Sequence, residues 1–303
     1  MKPVPKMTIF NFFHRVYLVY MRLSLVAAVA STAALCQAYQ PPLPRQSATV
    51  RSAAPVDANM ASTYDDLAKR AAAAAAKLPN DGSQWWICVA GGPGAGKSTL
   101  SEAVAAKCNE MGVPAVVLPM DGFHYSRAEL RELDPPNAES YLPRRGAPWT
   151  FAAESLFEQL SIARSEKASS LPTYSREKSD PVQGGVQLEP WHRVVLVEGN
   201  YLLLGACGEV PGTELTEAEA ARWKPLLPLF DERWFVSPKG GVEEQRRRLI
   251  DRHLETWTDA KTALFKSKTA KDGAAKRADM NDVLNARVVD ACREHADVAI
   301  ESC

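Results

Sequence analysis

The segment that most constrains this chain is Gly91-Gly92-Pro93-Gly94-Ala95-Gly96-Lys97-Ser98, which satisfies the pattern G-x-x-x-x-G-K-[ST]. Such a loop functions between a buried strand and the first turn of a helix. Its glycines permit backbone conformations with positive φ, so that successive N–H groups converge on phosphate oxygens, and the helix N-terminus adds positive potential. Both flanks fit. Residues 85–90 (WWICVA) form a short apolar run of β-forming side chains ending at the glycines, and residues 98–111 place Leu100, Val104 and Ala105 on one helical stripe. Gly91, Gly92, Pro93, Gly94, Ala95, Gly96, Lys97, Ser98 and Thr99 are therefore the expected residues for binding a nucleoside triphosphate. Lys97 would reach the β and γ phosphates, and the Ser98 hydroxyl would ligate Mg2+.

The rest of the chain supplies a sheet for this loop. Residues 114–120 (PAVVLPM), 193–197 (RVVLV), 230–236 and 297–300 read as further strands, and residues 64–78, 151–166 and 241–257 read as helices. Strands alternating with helices imply a mostly parallel sheet covered on both faces, an α/β domain. Segments 205–222 and 261–279 read as insertions or mobile loops. With 46% hydrophobic and 24% charged residues in 303, the composition is that of a globular protein. Cys36, Cys88, Cys108, Cys207, Cys292 and Cys303 show no CxxC spacing, so neither a zinc site nor a disulfide framework is expected.

Residues 1–56 hold six Lys or Arg and no Asp or Glu, which leaves 30 basic and 36 acidic residues in the remainder. A folded domain of that sign gives no reason to expect a nucleic-acid partner. The acid-free stretch reads as a bipartite targeting presequence. Arg22, an apolar run from Leu23 to Leu35 and small residues around Cys36 give residues 21–38 a signal-peptide pattern, and residues 39–56 have the Pro, Ser, Ala and Arg content of a transit peptide. Tyr39, just after the expected cleavage point, resembles the presequences of algae with secondary plastids. The apolar run is short for a bilayer. The expectation is a plastid location and a mature domain over residues 60–303 with no stable membrane association; secretion or a membrane anchor is the alternative.

Two carboxylates sit where chemistry is expected. The second strand runs into Met120-Asp121-Gly122-Phe123-His124, which places Asp121 at a strand's carboxyl end, where open α/β sheets bind ligands. An acid there could accept a proton from an attacking hydroxyl, hold Mg2+ through water, or simply cap a turn. The third strand ends in Glu198-Gly199-Asn200, and Glu198 is the expected acid that orients metal and water.

In this order, GGPGAGKST, PMDGFH, YLPRRGAPWTF, VVLVEGNYLLL, RRRLIDRH and NDVLNARVV resemble the phosphoribulokinase, uridine kinase and pantothenate kinase superfamily over residues 85–301, and most of all its nucleoside-kinase-like or sugar-kinase-like branch. The resemblance implies a P-loop NTPase three-layer α/β/α fold with a helical lid, and ATP and Mg2+ as cofactors. It implies Asp121 as catalytic base, with Ser98, Asp121 and Glu198 around the metal. Arg248 and Arg252, at i, i+4 on one helix, match lid arginines that neutralise the transferred phosphoryl group, and Asn285 matches a segment near the adenine. His124, Tyr125, Arg144, Arg145, Tyr174 and Arg176 are the expected substrate-side residues, the last two within residues 172–176, which resemble the family's substrate-side strand. Two departures, Ser175 and Ala152 where relatives commonly carry Asp, bear on the substrate. The function implied is transfer of the γ-phosphoryl of ATP to a hydroxyl of a small metabolite: a sugar, sugar acid, nucleoside or pantothenate-like molecule. The alternative is a regulatory ATP-binding protein with slow ATPase activity.

Overall fold

The computed structural model describes residues 60–133, 141 and 144–303, which fall in one compact unit. The presequence expected over residues 1–56 lies outside the described residues. Helix α1 (Ala61–Ala75) buries Tyr64, Leu67, Ala68, Ala71 and Ala75 at helical spacing. Then come β1 (Trp85–Ala90), α2 (Lys97–Glu110) and β2 (Ala115–Pro119), a 3-10 turn at Met120–Phe123, and helices α3 (Arg127–Leu133) and α4 (Ala153–Glu166). A hairpin of β3 (Ser169–Ser175) and β4 (Asp180–Leu188) precedes β5 (Val194–Gly199). After the short helices α5 (Leu204–Cys207) and α6 (Glu217–Trp223), the chain returns as β6 (Glu232–Pro238). Helices α7 (Gly241–Leu254), α8 (Asp259–Leu264), α9 (Ala270–Arg277) and α10 (Val283–Asp290) lead to β7 (Val298–Ser302).

The main sheet has the strand order β2-β5-β1-β6-β7, and every pairing is parallel. Its apolar strands alternate between two cores, as a sheet covered on both faces requires. On β1, Trp86, Cys88 and Ala90 face the core shared with α4, α6 and α10, whereas Ile87 and Val89 face α1 and α2. Val195 and Val197 of β5 join the first core, and Val194 and Leu196 join the second. The result is the expected three-layer α/β/α arrangement. Since β1 lies between β5 and β6, the loop after β1 emerges at the strand-order reversal of the sheet's carboxyl edge, beside the ends of β2 and β5.

Four sequence expectations need correction. Segment 205–222 is no mobile loop: Val210, Leu215 and Ala220 are buried in the main core. Segment 261–279 includes α9, whose Ala274 packs with Leu249 and Ile250 of α7 in a small separate core. The α4 helix starts at Ala153 rather than at Phe151, because Phe151 is drawn into a bridge with His124 and buried. Finally, Cys207 and Cys292 form a disulfide with Cα atoms 5.5 Å apart across a sequence separation of 85, a juxtaposition of the ends of α5 and α10 that only the fold creates.

Residues 172–176, expected as a substrate-side strand, fall at the end of β3, and its unforeseen pairing with β4 makes a hairpin that bears on the site because it sits directly on the 3-10 turn after β2. A Cβ on Gly122 would lie 2.1 Å from the Pro172 carbonyl oxygen. Gly122→Ala must therefore push the hairpin away from the turn. The expected cost is about 1–3 kcal/mol, the range for overpacking, read as a lower urea midpoint; an unchanged midpoint would show that the hairpin is not fixed by this contact.

Candidate active site

The loop after β1 is shaped by its glycines. Gly94 and Gly96 have φ of 80° and 92°, in the left-handed region that other residues avoid. Gly96 precedes α2, and its carbonyl accepts the Leu100 N–H at 3.0 Å to open that helix. The first helical residue, Lys97, is 8% exposed, and its ammonium donates to the Gly92 carbonyl (3.1 Å) and to Asn200 Oδ1 (2.8 Å). Burial lowers its pKa, opposed by the charges of Glu198 and Asp121.

Glu198 comes from the carboxyl end of β5, where pairing sets it beside Val89 of β1 and Pro119 of β2. It accepts a hydrogen bond from the Ser98 hydroxyl at 3.3 Å. Burial pushes its pKa up to about 7, against the downward pull of Lys97. Asp121 stands on the 3-10 turn after β2, exposed to solvent. Both acids line one open cleft of about 600 Å³, together with Lys97, Ser98 and Thr99.

Most of the expected site residues meet in this cleft. Pro93, Gly94 and Gly96 line it from the loop, Arg248 and Arg252 from α7, and Asn285 from α10. His124, Arg145, Tyr174 and Arg176 line it from the opposite side. Gly91, Gly92 and Ala95 form the loop's underside and do not face the cleft. Arg248 is anchored by Glu244 (2.9 Å) and by the Ser302 hydroxyl (3.0 Å). Arg252 opens to solvent through the cleft mouth although protein crowds around it. The His124 ring lies between Phe151 and Tyr174, with centroids 3.9 and 4.9 Å away, and donates through Nδ1 to the Asp121 carbonyl at 2.8 Å. Burial lowers its pKa, countered by the Asp121 charge. Its surroundings make it a support for the turn that carries Asp121.

Two expected substrate residues fall elsewhere. Arg144 points away from the cleft into an ion pair with Glu214 (2.6 Å), and it lines a neighbouring cavity of about 320 Å³ with Trp149. Tyr125 also lies outside the lining; its carbonyl accepts from Arg145 Nη2 at 2.9 Å. The cleft also contains Asn200, Gly146 and Arg277, which were not expected there, and a His253–Asp282 pair at 2.7 Å, of which Asp282 belongs to the segment expected near the adenine. Asn200 had a visible signal, since it follows Glu198 at a strand end. Arg277 had none, because only the fold brings α9 to the cleft.

A phosphate loop at the reversal point of a parallel sheet, with two acids beside it, defines the class of P-loop nucleotide-binding proteins that act on phosphoryl groups. No protein-family model matches the chain. It is 31% identical over 250 residues to a uridine kinase-like protein of Schizosaccharomyces pombe, spanning 81% of this chain and 93% of that protein. It is 32% identical over 142 residues to the ATP-dependent kinase-like protein notR' of Aspergillus versicolor, spanning 45% of this chain and 71% of that one. A solved structure from Silicibacter, described as a fructose transport system kinase-like protein, superposes with a TM-score of 0.61 at 27% identity, covering 78% of this chain and 98% of its own. The chain belongs to the uridine kinase-like P-loop kinases. Membership carries ATP use and a small-molecule substrate. Among the described residues, no helix is long and apolar enough to cross a membrane.

The raised pKa of Glu198 has a measurable consequence. Its folded pKa, about 7, exceeds the ordinary 4.5, so the folded state holds a proton that the unfolded chain releases, and stability falls as pH rises between these values. Glu198→Gln removes this loss. The variant should match the wild type near pH 4.5 and exceed it at pH 8 by up to about 3 kcal/mol in urea unfolding without metal or nucleotide. A difference independent of pH would show that the carboxylate is already ionised in the acid range.

Proposed function

We propose that this protein transfers the γ-phosphoryl group of ATP to a hydroxyl of a small metabolite such as a sugar, sugar acid, nucleoside or pantothenate-like molecule. The observation that carries the proposal is the position of Asp121. It reaches the same open cleft as Lys97 and Glu198, but from the turn after β2 rather than from the phosphate loop, which leaves space for a second ligand between them. In this reading Asp121 takes the proton of the acceptor hydroxyl while that oxygen bonds to the γ-phosphorus. The bond from the γ-phosphorus to the β–γ bridging oxygen breaks, and ADP leaves. Lys97 and the guanidinium groups of Arg248 and Arg252 offset the charge spread over the transferred group.

The residues present also fit Mg2+. A hard divalent cation takes oxygen ligands, and the Ser98 hydroxyl and Glu198 carboxylate are adjacent oxygen donors in the cleft, with Asp121 on the same cavity. When bound, the ion neutralises phosphate charge. A buried carboxylate whose ionisation is costly gains most from such a cation. Asn285, buried on α10 at the cleft's edge, is suited to a polar contact with the nucleotide base. The acid-free composition of residues 1–56 supports a targeting role and a plastid destination for the domain that follows.

The test is a panel of alcohols with the full chain, ATP and Mg2+, scored by ADP release. At least one acceptor should accelerate release, and Asp121→Asn should reduce the acceptor-dependent rate by about 10²- to 10⁴-fold, the usual worth of a general base. Acceptor-independent ATP hydrolysis as the sole activity, or an Asp121→Asn variant of full rate, would overturn the assignment.

A further inference from the structure

The charged groups around the cleft divide into committed and uncommitted ones. Arg145 is a strut: it binds Asp180 at 2.8 Å and the carbonyls of Tyr125 and Ser179, and it stacks over the Tyr174 ring at 5.6 Å. Arg248 is held by Glu244 and Ser302. By contrast, the guanidinium groups of Arg176, Arg252 and Arg277 have no hydrogen-bond or ion-pair partner among the described residues, although all three line the cleft. They arrive from three elements: the end of β3, α7 and α9. Arg252 is close enough to the others to register their charge: crowding lowers its pKa first, and Arg176 and Arg277 lower it further, against Asp282 and Asp121.

Three of the acids nearby are already engaged. Asp180 serves Arg145 and the Arg127 N–H (3.0 Å), Asp282 serves His253, and Glu198 is buried beside Ser98. Asp121 and Glu177 remain: the proposed reaction reserves Asp121 for the acceptor hydroxyl, and Glu177 is exposed on the hairpin turn and does not line the cleft. Arg252 sits on α7, which packs against Gly92 and Gly94 of the phosphate loop, and Arg277 sits on α9, which packs on α7, so both belong to the nucleotide side of the cleft. Arg176 does not. It extends from the hairpin that rests on the Asp121 turn, the side where the acceptor must lie, and Ser175 next to it offers no charge.

We propose that the acceptor carries an anionic group, a carboxylate or a phosphate, and that Arg176 receives it on the hairpin side of the cleft. The inference rests on the kinase reading above and narrows it: sugar acids, hydroxy acids and phosphorylated sugars fit, and uncharged nucleosides do not. The planar fork of an arginine binds either anion through paired N–H donors.

The test compares acceptors that differ only in the anion: glycerate with glycerol, gluconate with glucose, and glycerol 3-phosphate with glycerol, each with the full chain, ATP and Mg2+. The acidic member should have a KM lower by roughly 10- to 100-fold, the range for a charge-assisted hydrogen bond. The carboxylate and phosphate arms separate the two anions. Arg176→Gln should erase that difference by raising the acidic acceptor's KM, while the KM for ATP stays unchanged. A second measurement needs no turnover: the chain saturated with a non-hydrolysable ATP analogue and Mg2+ is titrated calorimetrically with glycolate and with inorganic phosphate. Saturable binding of one anion, lost in Arg176→Gln, is expected. A neutral alcohol as the better acceptor, or a rise in the KM for ATP in the variant, overturns the inference and leaves the kinase reading intact. If no alcohol is turned over, the kinase reading fails and the titration alone decides: absence of saturable binding to the wild type overturns the anion site.

Discussion

The phosphate loop is backbone packed where no side chain fits, and the arrangement of the site follows from that. A Cβ on Gly91 would lie 2.2 Å from the Val236 carbonyl oxygen of β6, and one on Gly92 would lie 2.5 Å from the Gln245 amide of α7 and 3.2 Å from the Ala286 Cα of α10. The loop therefore touches β6 and the helix carrying Asn285 through backbone atoms that cannot yield, and α7 through the Gln245 side chain. At the end of the last strand, the Ser302 hydroxyl donates to the Ala95 carbonyl at 2.8 Å and accepts from Arg248 at 3.0 Å, which ties one lid arginine to the loop itself. A change in the loop's shape would have to move α7, and a close packing of this kind transmits displacement rather than absorbing it.

The electrostatics build on that rigidity. Burying Lys97 is costly unless its ammonium finds partners, and the Gly92 carbonyl and Asn200 provide them. Both are neutral acceptors, so a phosphate oxygen entering the loop is a stronger partner than either. Glu198 is placed in the opposite sense, as a buried acid whose pKa lies well above the ordinary carboxylate value. Burial disfavours the charged form of both residues, and the attraction between their opposite charges offsets this only in part. This is the pattern in which perturbed titration marks function rather than stability.

How much of this was legible in the sequence depends on the range of the interaction concerned. The strands of the main sheet are short apolar runs beside glycine or acid, and their burial on both faces is written into β-forming composition. Asp121 and Glu198 were readable for the same reason, since each follows such a run. The β3–β4 hairpin was readable only in part: residues 172–176 resemble a known strand, but Pro172, Gly184 and Gly185 dilute the alternation that would announce the pairing. Segments 205–222 and 261–279 look like loops in composition, yet they bury Val210, Leu215 and Ala274 against neighbours far along the chain. The Cys207–Cys292 disulfide likewise depends on the approach of α5 and α10.

Arg144 and Arg145 show where sequence reasoning reaches its limit. Adjacent in the chain, they point to different places: Arg144 to Glu214 and Asn281 beside one cavity, Arg145 to Asp180 on the hairpin side of the main cleft. Neither partner lies within 30 residues of its arginine, so no local pattern could assign them. The same holds for Arg176, which lines the cleft without a side-chain hydrogen-bond or ion-pair partner among the described residues. The phosphate-handling half of the cleft is encoded locally, in a loop and two strand ends. The acceptor half is assembled from a hairpin and a loop fastened by long-range ion pairs, so its specificity is a property of tertiary structure, and local motifs alone leave the acceptor undetermined.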